Sequence, residues 1–354
     1  MIRRSFRLHC RESIAPTPRC DGIMDNRPTA EFPYIWILIP ARNSEKVLDG
    51  CLNCLEKQTY PRKRYEIIVL DGQSHDNTAA IAQRHGVRVI RDRGKGRAAA
   101  LNEGMKAVGD GYVAFTDPDC LPDTDWLRSL VAAFASDRVG GAGGPNIVPD
   151  DAGAFVRAVE FVAMRTPYAK RFEHFGDAET LAGCNAMYAA AVLKKAFPLP
   201  EVGYVEDAIL NCRVRKQGYR LISAPQAVVW HLRHYSSPAT LLSHMIMFGR
   251  GIIQGARLEK SLRRPLHAVV GVGLPVLVAL LALAVLLNPI ALLVLGIAAA
   301  VLSGAAVLAG FRETRSIRVS AWIPLVIAID VAGFSAGYIR ELLSNRPLLA
   351  GNSE

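Results

Sequence analysis

The sequence predicts an α/β protein, a mostly parallel sheet with helices on both faces, followed by an α-helical membrane region. Two observations carry this. Between Tyr34 and residue 135, four short apolar runs alternate with four helix-patterned stretches. That alternation builds a parallel sheet covered on both faces. From Pro265 to Phe311, 47 residues then pass without Asp, Glu, Lys or Arg. This is too long for one membrane span of about 20 residues and right for two.

The elements follow in order. "YIWILI" (34–39) reads as a strand, and 45–57 as a helix with Val47, Leu48, Cys51, Leu52, Cys54 and Leu55 on one stripe. "YEIIVL" (65–70) is a strand before a helix at 76–85. "VRVI" (87–90) precedes a helix at 97–108, and "YVAFT" (112–116) one at 123–135. Membrane spans are expected near 267–287 and 290–310, with the turn at Asn288–Pro289, and a third near 320–340. The third carries Asp330 and either crosses or lies re-entrant or interfacial; an intramembrane carboxylate faces protein or water rather than lipid. "RLEKSLRRP" before the first span and "RETRSIR" after the second place both flanks, and the soluble domain at 31–237, on the cytoplasmic side. Residues 238–264, with Arg250, Arg257, Arg263 and Arg264, read either as amphipathic helices on the membrane surface or as an ordinary buried helix and linker. Residues 1–30 are basic and Pro-interrupted and are expected to be a disordered tail, with Met24 a possible start.

The formal net charge of +10 suits anionic partners, namely nucleotides or membrane lipids. No zinc-finger spacing, homeodomain-like helix or RNP-type aromatic pattern speaks for nucleic acid. Seven cysteines form no disulfide framework, and the C-x-x-C of Cys51 and Cys54 reads as core-facing small residues.

In open parallel sheets, ligands bind beyond the carboxyl ends of the strands. The four strand tips are "PARNSE", "DGQSHDNT", "RDRGKGR" and "TDPDC". They bring carboxylates at Glu45, Asp71, Asp117 and Asp119 to one edge with cations at Arg42, Arg93, Lys95 and Arg97. A nucleoside diphosphate with Mg2+ or Mn2+ needs this mixture, oxygen ligands for a hard ion and cations for phosphates. A divalent ion is therefore the expected positive neighbour of Asp117 and Asp119, one residue apart. Other roles are available: Asp71-Gly72 as a plain turn, Glu206–Asp207 as favourable charges at a helix N-terminus, and His231 and His234 as a metal or phosphate clasp or as structural histidines.

"IPARNSEKVLDGCLNCLEKQ", "YEIIVLDGQSHDNT", "GKGRAAALNEGM", "VAFTDPDC", "LAGCNAMYAAAVLKKAF" and "GYVEDAILNCRVRKQGYRL", in this order, resemble inverting family-2 glycosyltransferases of the GT-A fold. The resemblance runs from about Ile35 to about Gly251. It implies that Pro40, Arg42 and Glu45 sit at the nucleotide base and ribose, and that Asp71 recognises the base. It implies that Asp117 approaches ribose and metal, Asp119 binds the metal and Arg97 faces the diphosphate. Asp207 would be the general base. Gly183, Asn185, Glu206 and His231 would lie on the acceptor or donor-sugar side. The Q-x-x-R-W motif of processive synthases is absent, and "WHLRHYSS" stands in a similar place. The expected activity is transfer of a sugar from a UDP- or GDP-linked donor to a lipid-linked or glycan hydroxyl at the cytoplasmic membrane face. A polyprenyl phosphate acceptor, already anionic and needing no base, is the alternative. A further rival is a membrane-attached NAD(P) oxidoreductase, because "GKGRAA" imitates a dinucleotide fingerprint. That fingerprint normally follows the first strand of its unit, and here two βα units precede it.

Overall fold

The computed structural model describes residues 32–136, 138–149, 151–166, 172, 174–202, 204–232, 236–262, 265–287 and 289–344. The predicted tail at 1–30, together with His234, Arg263, Arg264 and Asn288, lies outside them.

The four βα units form as expected, with tighter helix limits. They are β1 (Ile35–Ala41) and α1 (Leu48–Glu56), β2 (Tyr65–Asp71) and α2 (Thr78–Arg84), β3 (Arg88–Arg91) and α3 (Arg97–Met105), then β4 (Tyr112–Thr116), a short β5 (Cys120–Pro122) and α4 (Trp126–Ala132). The helices start late because polar side chains hold the approaches. The Ser44 N–H donates to Thr78 Oγ1 at 2.7 Å, and the Glu45 N–H to Asp76 Oδ2 at 3.0 Å. The chain continues through β6 (Val139–Gly143), β7 (Asn146–Ile147), α5 (Ala154–Ala163), β8 (Gly176–Ala178), β9 (Asn185–Ala189), α6 (Ala190–Ala196), α7 (Glu206–Lys216), β10 (Arg220–Ser223) and β11 (Val229–His231).

The main sheet has the order β3-β2-β1-β4-β9-β6-β10-β8. Strands β1 to β4 are mutually parallel, whereas β9 runs antiparallel between β4 and β6. One apolar cluster packs α1, α2 and α4 on one face, around Ile37, Leu52 and Trp126. A second packs α3, α6 and α7 on the other, around Leu38, Phe115 and Tyr188. Cys51 and Cys54 are buried in the core, as expected of core-facing residues. A separate sheet, β5-β11-β7, closes over the tip of β4.

A 21-residue helix, α8 (Pro238–Leu258), leads to the apolar region. There α9 (Pro265–Ala268), a π-helical turn (Val269–Gly273) and α10 (Leu274–Leu287) precede α11 (Pro289–Thr314), a short α12 (Ile317–Ser320) and α13 (Ile323–Leu342). Among the described residues, three stretches are long and apolar enough to cross a membrane: Leu266–Leu283, Leu293–Thr314 and Ile317–Leu342. The third differs from the others because it packs along α8. Cβ atoms added at Gly337 and Gly249 would come within 1.9 Å of Ile246 O and 2.2 Å of Phe334 O, so glycine lets the two backbones touch. Arg250 pairs with Glu341 at 3.1 Å and Arg257 at 3.6 Å. These two arginines are thus held by α13.

Candidate active site

Register brings the strand tips together. Ala41 lies beside Asp71 across the β1–β2 pair, and Leu38 beside Phe115 across β1–β4. Asp71, Arg42 and Asp117 therefore emerge at one edge. Pro40 sits inside β1, opposite Leu70. Asp71 is buried and accepts from the Ser74 N–H at 3.1 Å, with Arg91 Nε at 3.8 Å. Arg42 donates to Gly94 O at 3.1 Å, which ties the first tip to the third. Glu45 accepts from the backbone and side chain of Asn77, at 3.2 and 2.9 Å, tying it to the second.

Arg97, in the first turn of α3, is the hub. Its Nε and Nη2 donate to Asp117 Oδ1 at 3.2 and 2.9 Å, and Nη2 also reaches Gly183 O at 2.9 Å. Its Nη1 lies 3.5 Å from Glu206 Oε1. Burial opposes the guanidinium charge, but Asp117 and Glu206 outweigh it and hold its pKa above the ordinary value. On the far side of Gly183, its N–H donates to Asp207 Oδ2 at 3.2 Å. A continuous path thus runs from Asp117 through Arg97 and the Gly183 backbone to Asp207. A Cβ at position 183 would stand 3.1 Å from Arg97 Nη1 and 3.3 Å from Asp207 Cβ, so glycine permits this approach. Glu206 is buried, and that burial pushes its carboxyl up to about 7; Arg97 pulls it down and Asp207 adds to the rise.

Asp119 is answered from the second sheet. Antiparallel pairing sets His231 of β11 opposite Cys120 of β5. His231 Nε2 lies 3.0 Å from Asp119 Oδ2. Burial alone would lower the imidazole pKa, but Cys184 and Asp119 reverse this and hold it well above the ordinary value. The hydrogen bond from Cys120 brings the Cys184 thiol down to about 6 against burial, with His231 assisting. Side chains thus stand against both carboxylates, Arg97 against Asp117 and His231 against Asp119. Asp117, Asp119 and His231 each offer a ligand atom, all within 4.8 Å of one another. Two carboxylates and an imidazole fit Mg2+ or Mn2+. Cys120, Cys184 and His231 meet the same limit with softer sulfur donors.

Asn185 differs from expectation. It is fully buried; its Oδ1 accepts from Trp126 Nε1 at 2.8 Å, and its Nδ2 donates to Pro145 O and Ala227 O at 2.9 and 2.7 Å. Its amide is spent joining α4 to the loops around β7 and β11, not turned toward an acceptor. The "GKGRAA" loop follows β3, an edge strand, and Arg97 within it points back at Asp117. A dinucleotide fingerprint belongs after the first strand of its unit. Cys120 and Cys184 were not singled out as site residues in the sequence, and only their proximity to His231 marks them.

A parallel-centred sheet whose tips gather a D-x-D pair, an arginine and a histidine is the arrangement that the resemblance to GT-A-fold glycosyltransferases implies. Residues 36–197 match the family described as "Glycosyl transferase family 2", so the chain carries a domain of that family. It is 28% identical over 248 residues to "Glycosyltransferase AglE" of Haloferax volcanii, covering 67% of this chain and 79% of that protein. It is 26% identical over 216 residues to a dolichyl N-acetyl-alpha-D-glucosaminyl phosphate 3-beta-D-2,3-diacetamido-2,3-dideoxy-beta-D-glucuronosyltransferase of Methanococcus voltae, covering 55% of this chain and 65% of that one. Among solved structures, the mannosyltransferase PcManGT from Pyrobaculum calidifontis, in complex with GDP-Man and Mn2+, superposes with a TM-score of 0.64 at 21% identity, over 89% of each chain.

Proposed function

We propose that the protein transfers a sugar, with inversion, from a UDP- or GDP-linked donor to a hydroxyl of a lipid-linked or glycan acceptor at the cytoplasmic face of a membrane. The observation that carries this is the path Asp117–Arg97–Gly183–Asp207, which joins a donor-side carboxylate to a candidate base through one guanidinium and one peptide.

Pro40, Arg42, Glu45 and Asp71 border the place for base and ribose, where the buried Asp71 carboxylate supplies acceptors for a base N–H. Asp117, Asp119 and His231 would hold Mg2+ or Mn2+; when bound, the ion supplies positive charge to the diphosphate leaving group. The mannosyltransferase that shares the fold was solved with Mn2+ and a nucleotide sugar, which supports the same chemistry here. Arg97 holds Asp117 in place and offers a cation that would stabilise the charge growing on the diphosphate. Asp207 takes the proton from the acceptor hydroxyl as that oxygen bonds the anomeric carbon from the face opposite the departing diphosphate. Gly183 N–H and the N-terminus of α7 hold the Asp207 carboxyl in place. The arginines flanking the apolar helices support the cytoplasmic placement.

Calorimetry with UDP- and GDP-sugars, with and without Mn2+, tests the donor site. Wild-type binding is expected only with the ion, and Asp119→Ala should lose it while keeping a cooperative melt. Unchanged binding by Asp119→Ala overturns the metal assignment.

A further inference from the structure

Two cysteines that the proposed transfer chemistry leaves unused meet His231 from separate parts of the chain. Cys120 opens β5 and pairs in register with His231 of β11. Cys184 directly precedes β9, whose first residue, Asn185, lies beside Thr116 at the tip of β4. Both cysteines are buried, and no disulfide joins them. The two sulfurs and a ring nitrogen of His231 all lie within 4.8 Å of one another. Zn–S bonds of about 2.3 Å and Zn–N bonds of about 2.0 Å set tetrahedral ligand atoms roughly 3.5–4 Å apart, so each atom need move by less than about 1 Å to hold zinc.

We propose that Cys120, Cys184 and His231 form a second metal site, for a thiophilic divalent ion such as Zn2+, and that filling it blocks donor binding by taking His231 from the Asp117–Asp119–His231 site. The blocking effect rests on the glycosyl-transfer reading of that site; the thiol site itself does not. Donor type separates the two sets. Thiolate and imidazole suit Zn2+, whereas carboxylates suit Mg2+ and Mn2+. Each thiol binds as the thiolate, and its proton passes to water. His231 belongs to both sets. A neutral imidazole has one nitrogen lone pair to give, because its other nitrogen carries the proton. His231 therefore serves one ion at a time.

The positions are fixed by the scaffold. The Cys120 N–H donates to Asp117 O at 3.1 Å and the Leu232 N–H to Asp119 O at 2.9 Å, which locks the D-x-D turn against the end of β11. Next to Cys184, the Asn185 amide is tied to Trp126, Pro145 and Ala227. Ligands held in this way lose little freedom on binding. An ion can enter from the side of the carboxylates, where the side chain of His231 is 18% exposed and that of Asp117 26%.

The test uses the full chain, reduced and metal-free, in dodecyl maltoside micelles. Co2+ stands in for Zn2+ because its absorption reports its ligands. A single equivalent is expected to give a sulfur-to-cobalt charge-transfer band and the intense visible bands of a tetrahedral ion, and Zn2+ should abolish both. Cys120→Ser and Cys184→Ser should each remove much of the charge-transfer band. Each should also weaken Zn2+ binding by calorimetry at least about tenfold, the least that loss of even an outer-shell partner costs a metal site. Cys184→Ala is the second variant if serine at this buried position lowers the melting temperature. No charge-transfer band in the wild type, or a band unchanged in the variants, overturns the site.

Bound Mn2+ is then followed by paramagnetic resonance in the presence of UDP- and GDP-sugars. Zn2+ should release Mn2+ from the wild type and weaken donor binding by calorimetry in step. The cysteine variants should need at least about tenfold more Zn2+ for the same release. Release at equal Zn2+ concentrations from wild type and variants puts the zinc on the carboxylates and overturns the inference. So does retention of Mn2+ by the wild type once the cobalt bands show the thiol site filled. Failure of the zinc-free wild type to bind any nucleotide sugar with Mn2+ strikes the glycosyl-transfer reading instead, and the cobalt spectrum still decides whether the thiol site exists.

Discussion

Replacing Asp207 with Asn separates chemistry from binding. The side chain keeps its shape and loses its charge and its ability to take a proton. In the native protein Oδ2 accepts from Gly183 N–H at 3.2 Å and Oδ1 from Ala208 N–H at 2.7 Å. An amide has one acceptor oxygen, so one of these two N–H groups loses its partner whichever way the amide turns. Both hydrogen bonds are part-buried, so water meets part of the loss and the cost is about 1 kcal/mol, the low end for an unsatisfied donor. At about 2–4 °C per kcal/mol for a domain of this size, the melting temperature should fall by roughly 2–4 °C. The rate effect is separate. A positioned base contributes about 100- to 10,000-fold, or about 2.7–5.4 kcal/mol of barrier at 1.36 kcal/mol per factor of ten. Turnover, read as nucleoside diphosphate released in the presence of a membrane extract, should fall by that order. Donor affinity by calorimetry, measured well below the lowered melting temperature, should stay within a few-fold, because Asp207 is joined to the donor side through the Gly183 peptide and Arg97 rather than by direct contact with Asp117. Near-normal turnover refutes the base assignment and makes a polyprenyl phosphate the better acceptor. An equal loss in donor affinity refutes the separation of the two ends of the path.

The remaining tests bear on neighbouring residues. Glu206 titrates near 7 in the folded protein against an ordinary 4.5, so its contribution to stability is full below about 4.5 and declines as pH rises to about 7. Glu206→Gln should remove that decline, and the melting-temperature difference between variant and wild type should move in the variant's favour across the window; a difference independent of pH contradicts the burial argument. Asn185→Ala strips partners from Trp126 Nε1, Pro145 O and Ala227 O, and should destabilise by several kcal/mol in thermal melts, a structural effect that an acceptor-facing residue would not produce.

The βα half of the fold was legible because its signals are local. Runs such as "YEIIVL" and "YVAFT" are buried on both faces, so they read as continuous apolar strands, and turn residues mark where each ends. The charge-free stretch from Pro265 was equally plain, since membrane-crossing length is a property of composition. The D-x-D pair and the other strand tips followed from the rule that places ligands beyond strand ends. The second half was not legible. Strand β6, "VGGAG", carries almost no apolar signal, because it is glycine that makes room there; a Cβ on Gly140 or Gly141 would come within 2.6 Å of Tyr219 or Tyr188. No local pattern states that β9 would insert antiparallel between β4 and β6. Nor could the sequence say which cation meets which carboxylate. Asp119 and His231 are 112 residues apart and meet only because β11 pairs with β5. The same holds for Asn185, whose hydrogen bonds lie inside the scaffold. Periodicity and composition act over a few residues and fix the elements; the pairing of distant elements is decided by burial and hydrogen bonding across the whole chain, and that is where the protein's site was assembled.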